Sequence, residues 1–451
     1  MTEPQTAVLV LAAGKGTRMK SDLPKVMHKV ANRPMIEHVL AAVAPLAPSR
    51  TLVVLAPGMD EVARAVAPAE TVIQHEQRGT AHAVAAARER LAGFTGDVIV
   101  LCGDAPLVAT ATLRALLAER RRAPAAAAVV VGMRLGEPGA YGRLVTGPGG
   151  ALEDIVEASD CTPEQRAIGL CNSGLIAIDG RHLFALIDEI GSDNAKGEHY
   201  LTDLIAVARV KGLACRYVES PADELLGVNS RADLAAAEAA MQRRLRQAAM
   251  AAGVTFVAPE TVFLSADTRI GRDSIVGPFV VFGPGVTVGE GVAIPAFCHM
   301  LEARIGDRAI IGPFARLRPG ADLGSDVHIG NFVEVKNSRL EAGVKANHLA
   351  YIGDSAIGAG TNVGAGAITC NYDGIEKFRT EIGKNVFVGT NVSLVAPVTV
   401  GDGAILAAGS VITGDVPSDA MAIARGTQVT KPGRAKEWRE RKRKAKGRGK
   451  N

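Results

Sequence analysis

Residues 303–330 read ARIGDRAIIGPFARLRPGADLGSDVHIG, and one rhythm runs through them. Ile305, Ile311, Leu317, Leu323 and Ile329 recur every six residues, and the series continues to Val335. An earlier series is Ile270, Val276, Phe282, Val288 and Ile294, and a later one is Ile382, Val388, Leu394, Val400, Leu406 and Ile412. A six-residue period, with an apolar residue followed by a small one, predicts a parallel β-helix over about 262–416. Each hexapeptide makes one flat side, and its aliphatic residue points inward to stack on equivalents about 4.8 Å away in neighbouring coils. Glycine follows many of these positions (271, 277, 283, 289, 306, 312, 324, 330, 383, 389 and 401), where it is expected to permit the corner conformation. Handedness does not follow from the residues, since a left-handed coil breaks the usual crossover rule. The stretch TCNYDGIEKFRTE (369–381) interrupts the rhythm with polar and aromatic residues, the kind of insertion that carries function on a rigid solenoid.

Upstream the texture changes. AVLVLAA (7–13), TLVVLA (51–56), TVIQ (71–74), DVIVLCGD (97–104) and AAAAVVVGM (125–133) read as buried strands. PMIEHVLAAVAPL, MDEVARAVAP, TAHAVAAARERL and TATLRALLAERRR, lying between them, read as amphipathic helices. This alternation predicts a mostly parallel α/β sheet of Rossmann-like type, with helices on both faces. Ligands in such sheets bind beyond the carboxyl ends of the strands, so the loops beginning at Gly14 and Gly103 lie on the functional edge. SRADLAAAEAAMQRRLRQAAMAA (230–252) reads as one connecting helix, with Ser230 and Asp233 resembling a capping box and Gly253 as its stop. The expected organisation is a first domain over 1–231, a linker helix over 232–252, a β-helix domain over 253–433 and a tail over 434–451.

At 451 residues, two or three domains are expected, and 47% apolar with 22% charged residues excludes wholesale disorder. No apolar run approaches the roughly 18 residues that cross a bilayer, so no membrane insertion is expected. The start, MTEPQTAVLVLAAGKG, lacks a basic n-region and a cleavage site, so no secretory signal is expected. Six scattered cysteines without a CxxC pair point to a reducing, cytoplasmic setting and against a disulfide or zinc framework. The net charge of +4 conceals an asymmetry: the tail holds ten Lys/Arg and two Glu, and the remainder is 41 basic against 45 acidic. The tail is expected to be solvated and disordered. Trp438 is its only aromatic, which gives nucleic-acid bases little to stack on, so no nucleic-acid partner is expected.

Three motifs carry chemistry. LAAGKGTRM (11–19) with LPK (23–25) matches neither a Walker A loop nor G-x-G-x-x-G. It is still a phosphate device, because Gly14 and Gly16 let backbone N–H groups approach oxyanions and Lys15, Arg18 and Lys25 supply charge. Asp104, after Gly103 at a strand's carboxyl end, is the right type of ligand for Mg²⁺. In the periodic half, His348 of KANHLAYIGD lies off the inward apolar register and is the residue type suited to moving a proton near neutral pH. Arg318 and Lys336 supply cations able to clamp a phosphate.

The first motif, with QRGTAHA (77–83), LCGDAPL (101–107), YGR (141–143), IVE (155–157), NSG (172–174) and GVN (227–229), resembles the sugar-1-phosphate nucleotidyltransferases. With ARLRPGADL, NFVEVKN, KANHLAYIGD, NVGAGAITCNYDG and VAPVTVG in the second half, residues 6–432 resemble one bacterial family. That family is the bifunctional N-acetylglucosamine-1-phosphate uridylyltransferases / glucosamine-1-phosphate N-acetyltransferases. The resemblance implies a left-handed β-helix and two reactions that make UDP-N-acetylglucosamine for peptidoglycan and lipopolysaccharide. Acetyl-CoA acetylates glucosamine 1-phosphate, and the product then attacks the α-phosphate of UTP and releases pyrophosphate.

Carried onto matching positions, the resemblance implies that Leu11, Ala12, Ala13, Gly14, Lys25, Gln74, Gly79, Thr80, Cys102, Gly103 and Asp104 contact UTP. Within that set Gln74, Gly79 and Thr80 read the uracil; Lys25, together with Arg18 outside the set, acts in catalysis. Gly142, Glu157, Asn172 and Asn229 hold the amino-sugar, and Asp104 and Asn229 hold Mg²⁺. In the second half His348 is the general base, with Arg318, Lys336, Tyr351 and Asn362 around glucosamine 1-phosphate. Ala365, Asn371, Tyr372, Thr390, Ala408 and Arg425 line the acetyl-CoA site. Cys102 stands where the family is expected to have Tyr, and Thr390 where it is expected to have Ser. The family packs three β-helices side by side, so a homotrimer is implied.

Overall fold

The computed structural model describes residues 4–122 and 124–448. The apolar runs of the first half form one nine-stranded sheet. Its strands are β1 (Thr6–Leu11), β2 (Arg50–Leu55), β3 (Glu70–Ile73), β4 (Asp97–Cys102), β5 (Ala128–Arg134), β6 (Arg143–Thr146), β7 (Leu152–Val156), β8 (Leu170–Asp179) and β9 (Cys215–Glu219). The main order is β9-β5-β8-β4-β1-β2-β3, with β8 running antiparallel to both neighbours. Both faces are covered, because alternate residues feed two separate cores. Leu9, Val100 and Val130 pack on one side, and Val8, Val10, Ile99 and Val129 on the other. Such strands have no polar face and read as unbroken apolar runs.

The chain leaves β1 for β2 and β3 on one side, then returns to place β4 on the other side of β1. This reversal is a topological switch point, and it opens a crevice at the carboxyl ends of β1 and β4. Leu11 pairs with Cys102 at that end, so the loops starting at Gly14 and Gly103 emerge side by side. One element is shorter than its pattern predicts. The helix read from TAHAVAAARERL covers only Thr80–Ala85, and i→i+3 bonds to Ala87 and Arg88 then tighten the chain into turns.

The connecting helix runs Arg231–Ala251. Ser230 N donates to Asp233 Oδ2 at 2.8 Å, and Asp233 N donates to Ser230 Oγ at 3.2 Å, a reciprocal N-terminal cap. Gly253 ends it with φ +95°. The chain separates into two units, residues 1–249 with 263–266 and residues 250–262 with 267 onward, so most of this helix belongs to the first unit.

The second unit is the left-handed β-helix, built from three parallel sheets of short strands. Val276 sits opposite Ile294, three hexapeptides further on, and the same spacing joins Ile270 to Val288. Val276, Phe282, Val288, Ile294, Ile305, Ile311 and Leu317 are all buried, which is the inward stack the period demands. The glycines after these positions do a different job from the one their placement suggests. Of those eleven, only Gly312 has a positive φ. The others let adjacent coils approach: a Cβ on Gly271 would lie 2.5 Å from the backbone of Gly289, and one on Gly277 would lie 2.9 Å from Ala296 N. Left-handed corners are occupied instead by other glycines, among them Gly285, Gly343, Gly366 and Gly409, and by side-chain-bearing residues, among them Phe279, Phe297, Phe314, Phe332 and Leu349.

The basic tail also departs from expectation. It forms a helix, Arg434–Arg448, rather than a disordered end. Arg, Lys, Glu and Ala are strong helix formers, Arg434 pairs with Glu437, and Lys442 Nζ lies 5.8 Å from the Trp438 ring. Residues 434–446 are exposed throughout.

Candidate functional site

The crevice at the switch point holds a cavity of about 330 Å³. Leu11, Ala12, Ala13, Gly14, Lys25, Gln74, Gly79, Thr80, Cys102 and Asp104 line it, so ten of the nucleotide positions named from sequence converge on one chamber. Its shape depends on backbone freedom at two glycines. Gly16 has φ +61°, and a Cβ there would lie 2.7 Å from the Cβ of Lys25. Gly79 has φ +116° and leaves no room for a side chain against the carbonyl of His199.

Lys25 Nζ forms an ion pair with Asp104 and donates to Asn229 Oδ1 at 3.2 Å. Arg18 Nη2 donates to the same Asn229 oxygen at 2.9 Å. Val228 N donates to the Asp104 carbonyl at 2.9 Å, which fixes the two segments together. Two cations and two accepting side-chain oxygens from remote parts of the chain therefore meet at one point. Gly103 backs this point rather than lining it, since its N–H bonds the Leu11 carbonyl and a Cβ would press on Val26.

A smaller chamber of about 140 Å³ adjoins the first and shares Leu11, Thr80 and Cys102 with it. Glu157, Asn172 and Thr202 give it polar groups, and Val130, Ile155 and Ile176 give it apolar walls. Asn172 N donates to the Gly142 carbonyl at 2.8 Å, and a Cβ on Gly142 would lie 3.6 Å from Glu157 Oε1, so these three positions are neighbours. Burial pushes the Glu157 carboxyl up, against a hydrogen bond from Thr202 that favours its ionised form. Burial also pushes the Cys102 thiol up to about 12, helped by Asp104, so at neutral pH it is a small neutral wall between the chambers. Thr202 and Gln77 were missed from sequence. Gln77 donates to the Ala13 carbonyl at 2.5 Å and closes the phosphate turn; it lies inside the QRGTAHA motif, the only signal that pointed to it.

In the β-helix, His348 occupies a corner, and the coils above repeat its position. Backbone N–H groups climb this corner rung by rung: Leu349 to Asn331, Gly366 to His348, Asn391 to Ala365 and Gly409 to Thr390. Arg425 Nη1 then caps the column on the Ala408 carbonyl at 2.7 Å. His348, Ala365, Thr390, Ala408 and Arg425 thus form one track along a single edge. His348 is exposed, and its Nδ1 lies 2.8 Å from Asn331 Oδ1.

Arg318 and Lys336 stand in one outward column on the sheet that follows this corner. Arg318 Nη1 donates to Glu334 Oε1 at 2.8 Å, and the hydrogen bond from Arg318 to that carboxylate holds the guanidinium's pKa up. Tyr351 pairs with Glu334 and leans over Gly353, where a Cβ would lie 2.5 Å from its Oη. Asn362 stands on the adjacent sheet between Lys345 and Phe387. Asn371 and Tyr372 begin the insertion at the far edge of the sheet from His348. The positions named for acetyl-CoA therefore split between two edges of one sheet. Asn331 and Glu334 were not singled out from sequence, although both lie in the NFVEVKN motif.

Residues 8–166 match the MobA-like NTP transferase domain, and residues 267–301, 302–337 and 379–414 match the bacterial transferase hexapeptide (six repeats). The whole chain is also similar to curated proteins called bifunctional protein GlmU. It is 58% identical to that of Rhodospirillum rubrum, over 98% of this chain and 99% of the relative. Identity is 58% with that of Acidiphilium cryptum, over 96% and 98%, and 54% with that of Xanthobacter autotrophicus, over 99% and 100%.

Proposed function

We propose, from the premise that this chain belongs to the family of bifunctional GlmU proteins, that each half performs its own transfer with the residues assembled there. The protein is an enzyme with two activities, uridylyl transfer and acetyl transfer. Its second half moves the acetyl group of acetyl-CoA onto glucosamine 1-phosphate. Its first half joins N-acetylglucosamine 1-phosphate to the uridylyl group of UTP and releases pyrophosphate.

For uridylyl transfer, Gln74, Gly79 and Thr80 select the base and the Gly14 turn cradles the phosphates with backbone N–H groups. The sugar sits in the smaller chamber against Glu157, Asn172 and Gly142. Its phosphate oxygen attacks the α-phosphorus, and the bond to pyrophosphate breaks. Arg18 and Lys25 offset the negative charge that grows on the phosphate oxygens. The Asp104 carboxylate and Asn229 amide oxygen already hold one cation between them, the Lys25 ammonium, so their donor set fits a divalent ion. Mg²⁺ would be held there by Asp104 and Asn229 and would neutralise phosphate charge.

For acetyl transfer, Arg318 and Lys336 hold the sugar phosphate, with Tyr351 and Asn362 beside it. His348 Nε2 takes a proton from the ammonium group, and the freed amine attacks the thioester carbonyl carbon. The tetrahedral intermediate collapses and the C–S bond breaks; the proton that the nitrogen sheds on becoming an amide goes to the leaving thiolate, so CoA departs as its thiol. Acetyl-CoA lies along the edge defined by Ala365, Thr390, Ala408 and Arg425.

The observation that carries this reading is the single ladder of hydrogen bonds from His348 to Arg425, which supports a base and a carrier thioester sharing one edge. Free-thiol release from acetyl-CoA with glucosamine 1-phosphate, and pyrophosphate release from UTP with N-acetylglucosamine 1-phosphate, test it. Failure to release CoA would leave the β-helix a scaffold.

The assembly that suits this geometry is a homotrimer. Phe279, Phe297, Phe314 and Phe332 stack at 4.9–5.0 Å between ring centroids, each about half exposed, on the corner below His348. An apolar ladder of this length favours cover by another copy. A neighbouring copy would also bring an Asn371 edge toward a His348 edge and reunite the divided acetyl-CoA residues. Among the described residues no helix is long and apolar enough to cross a membrane, and the scattered free cysteines favour a cytoplasmic setting.

A further inference from the structure

Beneath the surface of the acetyl-transfer region lies the carboxylate that ends the KANHLAYIGD motif, to which no role has yet been given. Asp354 occupies the corner between two sheets of the β-helix, with φ +49° and a relative exposure of 9%. Its carboxylate receives three side-chain donors. Lys336 Nζ donates at 3.1 Å to Oδ2, Asn337 Nδ2 at 2.6 Å to Oδ1, and Asn371 Nδ2 also donates to Oδ2. The backbone ties the same levels together, since Asp354 N donates to the Lys336 carbonyl at 3.0 Å. Burial alone would push this carboxyl up, yet the bonds from Asn337, Asn371 and Lys336 hold it below the usual range, so it is ionised at neutral pH.

The three donors come from two coils, one below Asp354 and one above. Lys336 belongs to the group assigned to the sugar phosphate and Asn371 to the group assigned to acetyl-CoA. Asn371 is also the root of the insertion, whose far end returns through Phe378 N to the Asn371 carbonyl at 2.9 Å. One buried anion therefore fixes a cation from one substrate group and the anchor of a loop from the other. Bringing an amine to a thioester is an alignment problem, in which a displacement of about 1 Å costs about a hundredfold.

We propose that Asp354 is a positioning residue for acetyl transfer, which locks Lys336 and Asn371 into one hydrogen-bonded unit and so keeps the acceptor and the acetyl donor in register. The inference rests on the assignment of Lys336 and Asn371 given above. An amide cannot replace this carboxylate: it offers one acceptor oxygen to three donors and turns an NH₂ group toward them.

The test is a mutant cycle read in acetyl-transfer kinetics, with uridylyl transfer by the same preparations as the measure of folded protein. Lys336→Ala is expected to raise KM for glucosamine 1-phosphate at least tenfold, and Asn371→Ala to raise KM for acetyl-CoA by a similar factor. Together they should lose at least fivefold less kcat/KM than the product of the two single losses, because either change already breaks the shared unit. Asp354→Asn should raise both KM values at least fivefold, and in its background the other two substitutions should combine multiplicatively. Multiplicative losses in the native background, within twofold, overturn the inference even where Asp354→Asn does not fold. Unchanged KM values in Asp354→Asn overturn it as well. If instead neither Lys336→Ala nor Asn371→Ala moves a KM, the assignment of the two groups fails first and the inference falls with it.

Discussion

His348 Nδ1 lies 2.8 Å from Oδ1 of Asn331, the residue directly beneath it in the parallel register of the coils. An amide oxygen only accepts, so this bond places hydrogen on Nδ1 and leaves the Nε2 lone pair free to take a proton. Asn331→Ala lets the ring turn and choose the other tautomer. Acetyl-transfer kcat should fall about ten- to a hundredfold while pyrophosphate release is unchanged. A steady-state thiol assay measures it, and an unaltered kcat would remove Asn331 from the mechanism.

The two chambers and the β-helix track draw on different residues, so their activities should separate. His348→Ala should lower acetylation by about 10²–10⁴ and keep uridylyl transfer. Asp104→Ala should do the reverse, with a loss of about 10²-fold or more. Parallel assays on each variant check this. Loss of both activities from one substitution in folded protein would sink the two-site account.

Asp203 sits near the sugar chamber with its carboxyl pushed up to about 6, by burial first and then by Asp154, Glu157 and Asp160. The folded state thus favours the proton. The protein loses stability as pH rises from about 4, where an unfolded aspartate titrates, to about 6, and the loss is complete above that. Asp203→Asn should therefore raise Tm at pH 7.5, by the equivalent of about 1 kcal/mol once solvent screening is allowed for. At pH 4 the two proteins should melt together. Thermal scans at both values decide it, and a gain that is larger at pH 4 would contradict the sign.

The stacked phenylalanines predict where the chains meet. Phe314 lies between Phe297 and Phe332 with φ +56°, a conformation aspartate tolerates better than most residues. Phe314→Asp should convert a trimer into smaller species by sedimentation velocity while leaving uridylyl transfer intact. A variant that still sediments as a trimer would move the interface to another face.

Local chemistry was legible from sequence wherever a residue's task repeats at fixed spacing. A side chain that must point into a coil every sixth residue has to be apolar whatever lies beside it, so Ile305 to Val335 announce the β-helix unaided. A turn of glycines among Lys15, Arg18 and Lys25 likewise declares an affinity for phosphate. Register between coils is another matter. Ile311 faces Ile329, but Ile329 faces Ala346, a step one residue shorter, and the insertion at Asn371 breaks the count again. Which residue lies under His348, and that Asp354 gathers Lys336 and Asn371, therefore depend on how the coils stack. The same holds for the glycines, spaced like corner residues yet needed because the next coil's backbone passes close by. In the first half, the reversal at β1 brings Leu11 beside Cys102 and lets Lys25, Asp104 and Asn229 meet. Periodicity is a property of neighbours along the chain, whereas these meetings are set by packing among segments far apart in sequence, and only the folded molecule fixes them.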